Sequence, residues 1–189
     1  MEDAGTMANI KGTALVLAVK LLRKNREKLE PLMDDATRAF VSQRILPGAW
    51  YPLEDATRLL KVACRFFGGS TAEVMEMFGM YCAEKDLTGV YDHLIRPGDP
   101  ARTFRRATML YQNYLDTGTL SLVHMDAGLK QYSMRLEGLR QTDVPFCAVV
   151  LGMSRLIASF VGVEESYKIQ ETRCTLRGDP FCEFESSWG

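Results

Sequence analysis

Residues 119–137 read TLSLVHMDAGLKQYSMRLE, and their pattern is the main indication of the fold class. Within it Tyr132, Met134 and Leu136 alternate with polar side chains, which is the period of a β-strand that has one face in water. The sequence DAG at 126–128 supplies turn-forming residues between this strand and the one before it. We therefore expect a β-hairpin whose apolar face covers a core.

A second hairpin is expected near the C-terminus. Residues 167–174 and 181–186 have strand-like composition, and the sequence RGDP at 177–180 separates them. In that turn Gly178 can take a positive φ, and Pro180 cannot donate a backbone hydrogen bond. Thr142, Asp143 and Pro145 are helix-start signals between the two hairpins. Four antiparallel strands are therefore available for one sheet.

The chain before residue 119 has helical periodicity. Its helix-start signals are Pro31, Pro52, the Ser70 and Glu73 capping box, and Asp99 with Pro100, and a further apolar-periodic segment begins near residue 9. The predicted fold class is α+β, with about six helices and a four-stranded antiparallel sheet made of two hairpins separated by a helix. Residues 1–8 are predicted to be a flexible N-terminus, and residues 9–189 a single ligand-binding domain.

Composition excludes several classes of function. With 23 basic and 24 acidic side chains the net charge is -1, which favours neither nucleic acid nor an anionic membrane as a partner. The longest apolar run near the start is broken by Lys20, so it predicts neither a membrane span nor a signal peptide. Five cysteines without an export signal indicate a reducing compartment, and we expect a cytoplasmic protein.

Three cysteines lie in the last quarter of the chain. The hairpin turn brings Cys174 and Cys182 close together, Glu171 precedes Cys174 by three residues, and Cys147 begins the preceding helix. Thiolates with a carboxylate suit a borderline-soft divalent ion such as zinc. In a regular strand Glu171 and Cys174 face opposite sides, so this set requires a bulge between them.

Two other interpretations of these cysteines stay open. Free cysteine is often buried, so all three are equally well explained as core thiols, and this is the preferred interpretation for Cys64 and Cys82 in their apolar helical segments. A disulfide between Cys174 and Cys182 is the third interpretation, which a reducing compartment disfavours.

The C-terminal motifs resemble a known family. They are PFC at 145–147, Gly152, ASFVG at 158–162, ETRC at 171–174 and GDPFC at 178–182. They resemble the vinyl-reductase-like domain, which is also the aromatic-sensing domain of phenol-responsive transcription activators and shares its fold with TRAPP subunits. The resemblance implies a homodimer and a structural zinc bound by Cys147, Glu171, Cys174 and Cys182.

Domains of this kind hold an apolar small molecule between helices and sheet. The candidate ligand-binding residues are Trp50, Phe67, Phe104, Tyr111 and Tyr114. In the phenol sensors the helix before the first hairpin supplies a polar contact, which the resemblance transfers to Tyr111. Aromatic side chains at helical spacing are nevertheless more often plain core.

The two histidines are expected on the surface. His93 and His124 have no partner histidine at metal-ligand spacing, and nothing in the sequence supports haem ligation by His93. The chain also has no recognisable set of catalytic acid, base and nucleophile.

We therefore expect a non-enzymatic ligand-binding or sensory domain that acts on a separate partner protein. An assembly scaffold of the same fold, with no ligand, is the alternative hypothesis. An accessory role for a reductase is a third hypothesis, which the absence of a cofactor motif makes weaker.

Overall fold

A computed structural model describes residues 8–89, 91–139 and 142–189 of the chain. The predicted α+β class is confirmed: seven α-helices and two antiparallel sheets occur in the described ranges. All of residues 1–7 of the expected flexible N-terminus lie outside those ranges, whereas Ala8 is buried and its carbonyl accepts a hydrogen bond from Leu53 N at 2.8 Å. Among the described helices, none combines the length and the apolar character that crossing a bilayer requires.

Apart from two three-residue strands at 9–11 and 50–52, the elements follow the predicted order of helices, hairpin, helix and hairpin. The helices are α1 (Gly12–Lys24), α2 (Arg26–Leu29), α3 (Asp35–Ser42), α4 (Leu53–Phe67), α5 (Thr71–Leu87), α6 (Pro100–Ala107) and α7 (Phe146–Phe160). The strands are β1 (Asn9–Lys11), β2 (Trp50–Pro52), β3 (Thr119–Asp126), β4 (Gln131–Glu137), β5 (Lys168–Arg173) and β6 (Cys182–Ser187). Short 3₁₀ turns at Glu30–Leu32, Asp92–Leu94, Thr108–Asn113 and Thr175–Arg177 connect them.

The larger sheet has the strand order β3-β4-β6-β5, and every neighbouring pair is antiparallel. The alternation in residues 131–137 predicted that Tyr132, Met134 and Leu136 face the core, and all three are buried. From β6, Cys182 and Phe184 are also fully buried, so the central pair of strands forms the floor of the core. Both predicted hairpins are therefore part of one sheet.

The small sheet was not predicted. Residues 9–11 were expected to begin the first helix, but they pair with β2 in the register Asn9 to Pro52. Asn9 is also fixed by Asp116, whose carboxylate accepts from the Asn9 amide side chain at 2.7 Å. Helix α1 therefore begins only at Gly12.

Helices α5 and α7 pack closely through two glycines. A Cβ on Gly79 of α5 would lie 2.2 Å from the Val149 carbonyl oxygen of α7, and a Cβ on Gly152 of α7 would lie 1.9 Å from the Glu76 carbonyl oxygen of α5. No real Cβ contact is that short, so both positions require glycine. This pair of helices forms the wall against which α6 and the sheet enclose the core.

Candidate functional site

A small internal cavity lies where β1, α1, α5, α6, α7 and the sheet meet. Its volume is about 50 Å³. Its lining is almost entirely apolar and includes Ile10, Ala14, Phe78, Cys82, Phe104, Ala107, Tyr111, Tyr114, Leu115, Leu120, Met134, Phe146, Val149, Val150, Met153, Ser154 and Ile157. No charged side chain is part of this lining, so the cavity suits an uncharged molecule.

The structure brings together three of the five predicted ligand-binding residues. Phe104, Tyr111 and Tyr114 all line the cavity and are buried. Phe67 lies elsewhere, at the rim of an apolar groove between α1, α4 and α5. Trp50 is 42% exposed on β2, where its ring lies 4.4 Å from Lys11 Nζ, and it lines neither space. Periodicity places an aromatic residue on a helix face but does not indicate which cavity that face borders.

The two cavity tyrosines use their hydroxyls inside the protein. The Tyr111 hydroxyl donates to the Thr117 carbonyl at 3.1 Å. The Tyr114 hydroxyl donates to the Asp86 carboxylate. Burial raises the pKa of both tyrosines well above the usual range, and it also raises the pKa of the Asp86 carboxyl. Both rings therefore present neutral apolar faces to the cavity.

Sequence reasoning missed a buried hydroxyl cluster beside the cavity. The Tyr132 and Tyr167 hydroxyls bond each other, and the Tyr167 hydroxyl donates to Ser186 Oγ at 3.3 Å. Ser154, a buried residue of α7 that lines the cavity, lies beside the two tyrosine hydroxyls. These residues come from elements far apart in sequence, and each taken singly has only the pattern of a strand or helix residue.

The C-terminal cysteines form the second candidate site. One ligand atom from each of Cys147, Glu171, Cys174 and Cys182 lies within 4.8 Å of all the others. The bulge that this arrangement requires is present, because the pairing of β5 with β6 shifts between Glu171 and Arg173. The four side chains named from the sequence therefore lie together in the structure.

Contacts within this cluster change the pKa values of its cysteine thiols. The neighbouring Cys147 thiol and Thr175, whose backbone N–H donates to Cys182 Sγ at 3.4 Å, lower the pKa of Cys182 to about 6, while the pKa of Cys147 is raised. Cys174 Sγ lies 3.8 Å from Cys147 Sγ. The Glu171 carboxylate bonds Arg177 through one oxygen, and its other oxygen is buried without a hydrogen-bond partner. Binding of a metal ion by these four side chains stays a prediction.

The remaining cysteines are isolated thiols in apolar surroundings. Cys82 lines the cavity, and Cys64 lines the groove between α1, α4 and α5. Burial raises the pKa of the Cys82 thiol to about 12, so it stays protonated at neutral pH. Both histidines, His93 and His124, are exposed, and neither lines the cavity.

Comparisons with solved structures identify proteins of the same fold. The Fe(II) unliganded H-NOX protein from K. algicida matches with a TM-score of 0.70 and 11% identity, over 95% of this chain and 97% of that one. An H-NOX protein from S. oneidensis in the Fe(II)NO ligation state matches with a TM-score of 0.65 and 11% identity, over 95% and 99% of the two chains.

A third match was solved to probe haem distortion in the H-NOX family, with a TM-score of 0.64 and 12% identity, over 95% and 94% of the chains. No protein-family model and no curated protein matches this chain. At identities this low the structural comparisons show a shared fold alone.

These comparisons correct the resemblance drawn from the C-terminal motifs. The predicted relationship to the vinyl-reductase-like domain and TRAPP subunits is wrong, because the matching structures are H-NOX proteins. In this chain the local structure explains why two of the motif residues are glycine. Gly152 allows α5 and α7 to touch, and Gly178 takes a φ of 92° in the hairpin turn. Such residues recur wherever a fold needs the same close contact or turn.

The prediction of a structural zinc as cofactor is also wrong, since the metal named for the structures of this fold is haem iron in the Fe(II) state. The spacing that suggested zinc also has a second explanation. Cys147 and Cys174 form a buried pair of thiols whose sulfur atoms lie 3.8 Å apart, as core thiols can.

The residues of this chain do not fit haem either. A cavity of about 50 Å³ is far below the several hundred Å³ of an ordinary cofactor pocket, roughly 300–1,000 Å³. Haem iron is held by histidine, thiolate, methionine or tyrosine ligands. No histidine lines the cavity, the Cys82 thiol stays protonated, and the two tyrosine hydroxyls are engaged elsewhere. Met134 and Met153 do line the cavity, but methionine ligates haem iron together with a histidine, which the lining lacks. The lining also has no cationic side chain for the two haem carboxylates.

Proposed function

We propose that this chain is a sensory domain that binds a small uncharged molecule and signals to a separate partner protein, without catalysing a reaction. The observation that carries the proposal is the internal apolar cavity at the meeting point of the helices and the sheet. The shared fold supports the sensory role, because the proteins of that fold are described by the small molecules they hold, haem and NO.

The chemistry of the lining defines the ligand. The two tyrosine hydroxyls at the cavity already have partners in the protein: Tyr111 bonds Thr117 and Tyr114 bonds Asp86. Ser154 lies beside the Tyr132 and Tyr167 hydroxyls. A ligand with its own hydrogen-bonding groups would leave them unsatisfied, at a cost of ~1–3 kcal/mol each. The proposed ligand is therefore apolar, and at the present cavity volume it is no larger than a few atoms.

Xenon tests this proposal because it occupies apolar cavities without needing any specific contact. Met134 and Met153 both line the cavity, so their ¹³C-labelled methyl groups report its occupancy. We expect these two methyl resonances to shift saturably as xenon pressure rises. Ala107→Leu, which fills the cavity from α6, should abolish the shift. Ala101→Leu, the same change on the same helix but outside the cavity lining, should preserve it.

Shifts that grow without saturating, or that are equal in Ala107→Leu and Ala101→Leu, would contradict the proposal. The alternative hypothesis of a ligand-free assembly scaffold predicts that outcome.

The partner protein, the predicted homodimer and the predicted cytoplasmic location are part of the same proposal. The five cysteines are all free thiols, which supports a reducing compartment. The exposed apolar side chains, among them Met109 and Leu129, are 71% and 67% exposed and support contact with another protein surface.

A further inference from the structure

A larger apolar groove borders the same face of helix α5 as the cavity. Helices α1, α4 and α5 form it, and its volume is about 220 Å³. Leu17, Leu60, Ala63 and Val74 are among its lining residues, and no charged side chain takes part. Phe67 and Met77 stand at its rim, where they are 51% and 54% exposed, so the groove opens to solvent.

One side chain belongs to both spaces. Phe78 of α5 lines the groove between α1, α4 and α5, and it also lines the internal cavity. Its neighbours on the helix divide between the two: Met75 and Tyr81 line only the groove, whereas Cys82 lines only the cavity. The Phe78 ring therefore stands in the partition between the groove and the smaller cavity.

We infer that the groove is a second binding site, for an uncharged apolar molecule about the size of one aromatic ring, and that Phe78 is the movable wall between it and the cavity. This inference deepens the proposed function, on which it rests for the role of the cavity. It assigns the groove as a route by which a ligand from solvent reaches the smaller cavity beside α6 and α7.

The volumes support this division of roles. An apolar cavity of about 150 Å³ accepts benzene, so the groove has room for one such ring. The cavity does not have that room while Phe78 occupies the partition. The groove offers only the Tyr81 hydroxyl and the Cys64 thiol as polar groups, which favours a hydrocarbon-like ligand over a charged or strongly hydrogen-bonding one.

Methionine methyl resonances separate the two sites in one experiment with benzene as the probe. Met75 and Met77 line the groove, and Met134 and Met153 line the cavity. In the wild-type protein we expect saturable benzene shifts of Met75 and Met77. In Phe78→Ala, Met134 and Met153 should also shift, with the same dependence on benzene concentration as Met75 and Met77.

Phe66→Ala is the matched control, because Phe66 is a partly buried aromatic residue near the groove that lines neither space. It should reproduce the wild-type pattern. Phe78→Leu serves as the second variant if the alanine variant does not fold, and it should give the same change to a smaller extent.

The inference is overturned if Met75 and Met77 do not respond to benzene, or if removing the Phe78 ring leaves Met134 and Met153 unresponsive. The xenon response of Met134 and Met153 decides the proposed function separately. A xenon response without a benzene response at the groove would therefore remove this inference and retain the proposed function.

Discussion

Replacing Phe104 by alanine is expected to lower the free energy of unfolding by ~3–5 kcal/mol. Phe104 is only 1% exposed, and its ring centroid lies 4.6 Å from that of Tyr132 and 5.3 Å from that of Tyr167, on which it stacks. Loss of the ring removes these contacts and enlarges the internal cavity, whose wall it forms. Urea-induced unfolding, followed by circular dichroism, measures the change.

Phe67→Ala is the control for this prediction. The deletion is chemically the same, but Phe67 is 51% exposed at the end of α4, so its loss should cost less than ~1 kcal/mol. Equal destabilisation by the two variants would mean that the aromatic cluster around Phe104 is not the centre of the core.

Gly152→Ala is expected to destabilise the protein by ~2–3 kcal/mol, against the usual effect of this substitution in a helix. Alanine has the higher helix propensity by ~1 kcal/mol, so without tertiary contacts the change would stabilise α7. The new Cβ, however, would lie 1.9 Å from the Glu76 carbonyl oxygen, a backbone atom that cannot rotate away. The two helices must separate, which also moves the cavity wall formed by Val149 and Met153.

The matched control is Gly48→Ala, since a Cβ at Gly48 would meet no atom within 4 Å and its φ is not positive. Its free energy of unfolding should stay within ~0.5 kcal/mol of the wild-type value in the same urea titration. A Gly152→Ala variant as stable as the wild type would show that α5 and α7 do not touch at this point.

Local patterns predicted much of the fold because they are set by neighbouring residues. The Ser70 capping box forms with both of its hydrogen bonds, at 3.2 Å and 2.9 Å. The alternation of Tyr132, Met134 and Leu136 places all three in the core. In contrast, β1 and β2 are three residues each and lie about 40 residues apart, so neither has a period long enough to be recognised.

The two candidate sites also differ in how far the sequence predicts them. The cysteine cluster was predictable because a hairpin turn brings Cys174 and Cys182 together. The strand irregularity after Glu171 was predictable as well, because Glu171 and Cys174 can face the same side only if the strand is irregular between them. The cavity was predictable only in part. Phe104, Tyr111 and Tyr114 all line the cavity because the tertiary fold brings their segments together. No local feature of the sequence distinguishes these three residues from Phe67 or Trp50.

The family prediction was wrong for a related reason. It relied on motif residues that serve turns and close helix contacts, such as Gly152 and Gly178, and these functions are not specific to one family. Overall shape shows a fold shared with H-NOX structures, although the side chains at the centre of this chain differ from what haem requires.

We propose that this fold, which is shared with haem proteins, holds a site for an apolar molecule in this chain instead of haem. The visible absorption spectrum of protein produced in haem-supplied cells and freed of unbound haem tests this proposal. We predict no Soret band, because the cavity is too small and its lining offers no histidine, no thiolate and no free tyrosine hydroxyl to the iron. A Soret band corresponding to one haem per chain would show that haem is bound and would overturn the proposal.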